Sequence, residues 1–134
     1  MNGAEYRLLR DRNCEGFSEW FDAARVGRKN SGKNNERLML ILAGFSGEGV
    51  LPAIAGIAAR ALWRSAVGGG YEPHTILEWV HNGLKKSFSE KLKTELLVIA
   101  YNPEKNSFTA VARGKQVLWL YRNKEKKAIL IRPS

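Results

Sequence analysis

The sequence has a single cysteine, Cys14, which excludes an internal disulfide and any fold held together by cross-links. No apolar run is long enough to cross a bilayer: Leu38 to Phe45 is too short, and the stretch beginning at Leu51 is interrupted by Arg60 and Arg64. Met1-Asn2-Gly3-Ala4-Glu5 lacks the basic-then-apolar pattern of a secretory leader, so a reducing cytoplasm is expected and no membrane partner is. Histidine is scarce, and neither His74 nor His81 has a cysteine or histidine at zinc-ligand spacing. No serine or cysteine stands in a pattern that sets it beside an oriented base, which leaves nucleophilic catalysis without support. Gly44-Phe45-Ser46-Gly47-Glu48-Gly49 has neither the Lys-Ser/Thr pair of a P-loop nor the spacing of a dinucleotide fingerprint. Turn geometry accounts for its glycines as well as phosphate binding does.

Acidic residues are also few: 13 Asp and Glu against 22 Lys and Arg give a formal net charge of +9 at pH 7. That balance suits an anionic partner, whether nucleic acid, a membrane surface or a phosphorylated protein. The cations are spread from Arg7 to Lys127 with no single dense block, so a solvated surface is the simpler reading. Trp20, Phe21, Trp63, Trp79, Trp119 and Tyr121 fall within expected strands and helices, where core packing is favoured over stacking on bases. Nucleic acid therefore ranks last among the partners. With 134 residues, 44% hydrophobic and 26% charged, the chain suits one globular domain over residues 1–134.

Patterning then places the elements. Tyr6 to Leu9 and Trp20 to Val26 read as strands, and Arg37 to Ala43 as a central strand buried on both faces that ends in the turn Gly44 to Gly49. Leu51, Ile54, Ala55, Ala58, Leu62 and Ala66 recur at threes and fours, predicting a helix that stops by Gly68-Gly69-Gly70. A second helix starts near Pro73, with Thr75 and Glu78 at capping-box spacing and Ile76, Val80, Leu84 and Phe88 as its apolar stripe to about Glu90. Glu95 to Tyr101, Ser107 to Arg113, Gln116 to Arg122 and Lys126 to Ile131 read as sequential antiparallel hairpins. The fold class is α/β of the α+β kind: antiparallel sheet packed with two principal helices.

Leu40 to Ala53, with Gly44-Phe45-Ser46-Gly47-Glu48-Gly49 at its centre, resembles a segment of the SpoIIE-like branch of the metal-dependent PPM protein serine/threonine phosphatases. In that segment a hydrophobic strand delivers an Asp into Asp-Val-Ser-Gly-(His/Lys)-Gly before a helix. Ser18-Glu19-Trp20-Phe21-Asp22 is similar to the family's Gly-Asp-(Trp/Phe)-Tyr-Asp, Val80-His81-Asn82 to its Leu-Asn step, and Tyr101-Asn102-Pro103-Glu104 to its Leu-Asp-Pro-Glu hairpin. The resemblance implies a PPM sandwich, here shortened. It also implies clustered carboxylates holding two Mg²⁺ or Mn²⁺ ions that activate a hydroxide for attack on phosphate.

Carried onto this chain, Glu19 stands at the first metal-binding Asp, whereas Gly44 stands at the Asp that bridges both metals and offers only a backbone carbonyl. Phe45 likewise offers only its carbonyl, and Glu48 replaces the His or Lys of the turn. The Thr-Asp-Gly motif and final Asp pair of the family are not in the sequence, and Ala112-Arg113-Gly114-Lys115 keeps the glycine of the Ala-Gly-His segment without its histidine. The resemblance thus implies a pseudophosphatase that binds a regulatory or phosphorylated protein, with Mg or Mn binding weakened. The alternatives are an active phosphatase in which Glu19 and Glu48 hold one metal or a partner chain supplies ligands, and, third, a basic nucleic-acid-binding module. A shortened sandwich also leaves a sheet face that a homodimer would cover.

Overall fold

The computed structural model describes residues 16–27, 29–30, 33–34, 36–88 and 91–133. The chain runs β1 (Phe17–Val26), β2 (Lys29–Asn30), β3 (Lys33–Asn34), β4 (Arg37–Ser46), α1 (Leu51–Val67), α2 (Pro73–Ser87), β5 (Lys93–Asn102), β6 (Ser107–Arg113), β7 (Leu118–Arg122) and β8 (Lys127–Ile131). The strand expected at Tyr6 to Leu9 and the lone Cys14 lie outside the described residues. An antiparallel four-stranded sheet has the order β1-β4-β5-β6, and β7 and β8 form a separate two-stranded sheet.

Alternation builds the core. Met39, Ile41, Ala43 and Phe45 on β4 and Leu96, Val98 and Ala100 on β5 are buried with Ala55, Ala59 and Trp63 of α1 and Ile76, Val80 and Leu84 of α2. α1 lies over β1 and β4, and α2 over β5 and β6. Gly56 lets α1 approach β1 closely: a Cβ there would sit 2.9 Å from Ser18 Oγ. The opposite face, with Leu38, Leu40, Leu42 and Ile99, is only half-buried. Burial of β4 on both faces is therefore incomplete.

Several expectations are corrected by tertiary pairing. β4 continues through Gly44, Phe45 and Ser46, which pair with β1 on one side and β5 on the other. A ladder on both sides outweighs glycine's weak strand preference, so the turn starts only at Gly47. On α1 the buried stripe is Pro52, Ala55, Ala59, Trp63 and Ala66, and Ile54 is half-exposed. α2 begins at Pro73 with no side-chain cap, and Glu78 is bonded by Arg113 at 3.0 Å instead of closing a box with Thr75. Pro at the first turn needs no amide partner, which removes part of the reason for a cap. Of the expected hairpins, β5–β6 and β7–β8 form, but β6 does not pair with β7: after β6 the chain leaves the sheet at Gly114, where φ is +113°. Trp63 is fully buried, yet Trp79, Trp119 and Tyr121 are more than half exposed, contrary to the packing expected of them.

The Glu78–Arg113 pair and His81 make stability depend on pH. Burial pushes His81 below its ordinary 6.5, Arg113 and Lys85 push the same way, and Glu78 opposes them. Its buried Nδ1 also has no hydrogen-bond partner. The unfolded chain takes up this proton more readily, so stability is full above pH 6.5 and falls as the pH drops from there through the folded value. Glu78 is held below 4.5 by its hydrogen bond from Arg113, so its contribution is present above 4.5 and is lost at more acid pH. The thermal midpoint should therefore decline between neutrality and about pH 5, and His81→Gln should flatten that limb. An identical profile for the variant would assign the decline to other groups.

Candidate functional site

Register brings three of the chemistry-bearing positions into one row. Glu19 on β1 lies opposite Gly44 on β4, and Gly44 lies opposite Glu95 on β5. Cross-strand partners share a face. Since Ala43 and Phe45 are buried towards the helices, this row faces the other side of the sheet. Strands are spaced about 4.8 Å apart, so the backbones of Glu19 and Glu95 stand roughly 10 Å apart with glycine between them.

Gly44 is not a glycine that the backbone demands. Its φ is not positive, and a Cβ built there would meet only the Phe17 ring at 3.9 Å and Glu95 Cβ at 4.0 Å, which is ordinary contact. The position thus has room for a Cβ, and it carries no carboxylate. Glu95 is the member that sequence reasoning missed, because only the β4–β5 register reveals it. Gly114 packs against it, its Cβ position being 3.0 Å from Glu95 Cγ, so the Ala112-Arg113-Gly114-Lys115 segment borders the row. Lys93, opposite Ser46, borders it on the same face.

The other expected site residues are placed apart from the row. Phe45 points into the core with no exposure, leaving its backbone alone as a donor group. Glu48 is exposed in the turn before α1. Asp22 turns to the helix side, where Oδ2 accepts a hydrogen bond from Trp63 Nε1 at 3.2 Å and faces Arg64 at 3.6 Å, so it ties β1 to α1. Asn82 is exposed on α2, and Asn102 caps the β5–β6 turn by accepting from the Lys105 amide at 3.1 Å.

These residues do not fit a pair of divalent cations. Mg²⁺ and Mn²⁺ need several hard oxygen ligands in a tight geometry, and two glutamates across an empty position do not supply them. Among the described residues no three of His, Cys, Asp and Glu converge as a metal site. A separate cleft of about 1160 Å³ opens at the far end of the same face, between the sheet and the β7–β8 hairpin, lined by Leu38, Leu40, Ile99, Tyr101, Phe108 and Leu118 among others. Leu40 and Gly44 are four residues apart on β4, which places the cleft about 13 Å from the row.

The family model for Stage II sporulation protein E (SpoIIE) matches residues 34–134. Among solved structures, the crystal structure of the RsbU and RsbW domains of Rv1364c from Mycobacterium tuberculosis matches with a TM-score of 0.70 at 22% identity. The match covers 92% of this chain and 32% of that one, so the chain spans about a third of its length. No curated protein matches. Among the described residues no helix is long and apolar enough to cross a membrane.

Proposed function

The chain belongs to the SpoIIE family of PPM phosphatases, and from that premise we propose that it is a non-catalytic member, a pseudophosphatase that binds a regulatory or phosphorylated protein. The observation that carries this reading is Gly44. In the row that faces the open side of the sheet, the bridging position has space for a Cβ but holds no carboxylate. Two cations brought together without a shared carboxylate repel each other, and neither Glu19 nor Glu95 is placed to offset that repulsion. Family resemblance to an RsbU domain supports a regulatory protein as partner, since that neighbour was solved together with an RsbW domain. Lys93 beside the row gives a phosphate group a cation to meet. The proposal takes the chain as one cytoplasmic domain over residues 1–134, and a homodimer would cover the half-buried sheet face.

Titration with Mn²⁺ by calorimetry, together with turnover of p-nitrophenyl phosphate, tests the reading. Neither heat of binding nor metal-dependent turnover is expected. Stoichiometric micromolar binding accompanied by turnover that Glu19→Ala abolishes would sink it.

A further inference from the structure

The β7–β8 hairpin combines two features that the sequence alone kept apart. From Gly114 to Arg132 the chain has six cations, Lys115, Arg122, Lys124, Lys126, Lys127 and Arg132, against one acid, Glu125. Glu125 is taken by Arg122 at 3.3 Å, and Lys126 donates to Asn123 Oδ1 at 2.8 Å. No acidic side chain among the described residues pairs with the other four. On the same hairpin Trp119 is 67% and Tyr121 59% exposed.

Trp119 and Tyr121 are two positions apart on one strand, so both rings stand on one face about 6.8 Å apart along it. Leu130 and Ala128 lie directly opposite them on β8. The cleft towards the sheet is lined by Leu118, Leu120 and Ile131 of the other face, and Trp119 also borders it. Alternation along β7 sets both aromatic side chains on the face opposite Leu118 and Leu120. Core packing does not account for rings this exposed, and the hairpin makes a flat, narrow ribbon with cations at its turn and at its far end.

We propose that this aromatic face is a stacking platform for single-stranded nucleic acid. Trp119 and Tyr121 each take a base, and Lys124 in the turn and Arg132 at the far end neutralise phosphates on either side. A base offers its flat face to an aromatic ring whatever its identity, and phosphate–lysine attraction needs no pocket, so a ribbon without walls suffices. Insertion into a membrane is disfavoured, because the rings sit in mid-strand while the tip, Asn123-Lys124-Glu125-Lys126, is polar and charged.

The test is fluorescence anisotropy of the full chain with labelled oligothymidylate and oligouridylate about 12 nucleotides long, a length within the usual site sizes. Binding should weaken with salt, with a log–log slope of about −1.4 for two neutralised phosphates. Trp119→Ala should lower affinity by roughly tenfold or more, and Tyr121→Ala by a comparable factor. Lys124→Glu with Arg132→Glu, on exposed positions that leave the core intact, should remove most binding and flatten the slope. Trp79→Ala, on α2, should change nothing. No binding at about 50 mM salt would overturn the proposal. So would affinity unchanged by both aromatic substitutions, or binding to phosphatidylserine vesicles with none to either oligonucleotide. Because Gly44 and Glu19 take no part, this result stands or falls apart from the pseudophosphatase reading.

Discussion

Replacing Gly44 by Asp should build a divalent-cation site across the row, raising Mn²⁺ affinity by at least about tenfold, or roughly 1.4 kcal/mol. The expectation rests on register and space. The introduced carboxylate would stand between Glu19 and Glu95, one strand from each, and its Cβ would meet only the Phe17 ring and Glu95 Cβ at ordinary contact distances. Three carboxylates in adjacent positions repel one another in the absence of a cation. The variant should therefore melt below the parent chain without metal and recover when Mn²⁺ is added, since binding to the folded state alone stabilises it. Glu19→Ala or Glu95→Ala in the Gly44→Asp background should cancel both the binding heat and the recovery. A Gly44→Asp variant that folds yet shows neither would mean that the row is not a disabled metal site.

How much of this is legible in the sequence depends on which residues local pattern can speak for. The two helices are, because a period of three to four and the break at Gly68-Gly69-Gly70 are properties of the chain itself. The β5–β6 and β7–β8 hairpins are too, since Asn102 to Asn106 and Asn123 to Lys126 are turn-forming on their own account. Gly44 reads as a turn residue and is a strand residue, because the ladder that holds it comes from β1 and β5, distant in sequence. Glu95 is invisible for the same reason: nothing in Lys93-Thr94-Glu95 says that it lies opposite Gly44. The orientation of α1 also escapes, since Ile54 and Ile57 are apolar yet exposed, and an apolar stripe alone cannot choose between them and Ala55, Ala59 and Trp63. Exposure of Trp119 and Tyr121 depends on where the hairpin turns away from β6, a matter of Gly114 and not of the rings.

Trp63→Ala should be the most destabilising single substitution in the core, costing about 3–5 kcal/mol, a third or more of the stability of a typical domain. Trp63 is the largest fully buried side chain, and α1 has no other anchor of its size: its remaining buried residues are Pro52, Ala55, Gly56, Ala59, Ala66 and Val67. Small residues bring the helix close to the sheet but do not fill the space beneath it, so removing the indole leaves a cavity the alanines cannot close. The loss is chemical as well as volumetric, because Asp22 Oδ2 loses the Nε1–H at 3.2 Å and is left with Arg64 at 3.6 Å, an exposed and weaker partner. Trp63→Phe separates the two effects: it keeps most of the volume and loses the donor, so urea unfolding should place it about 1–2 kcal/mol below the parent, between parent and alanine variant. Asp22 lies on the same strand as Glu19, three residues away and on the opposite face. Loosening α1 therefore frees the strand that carries the site row. If Trp63→Ala instead unfolded with the parent's midpoint, α1 would have to be held by α2 and not by β1, and the helix-side tie through Asp22 would have no part in positioning the row.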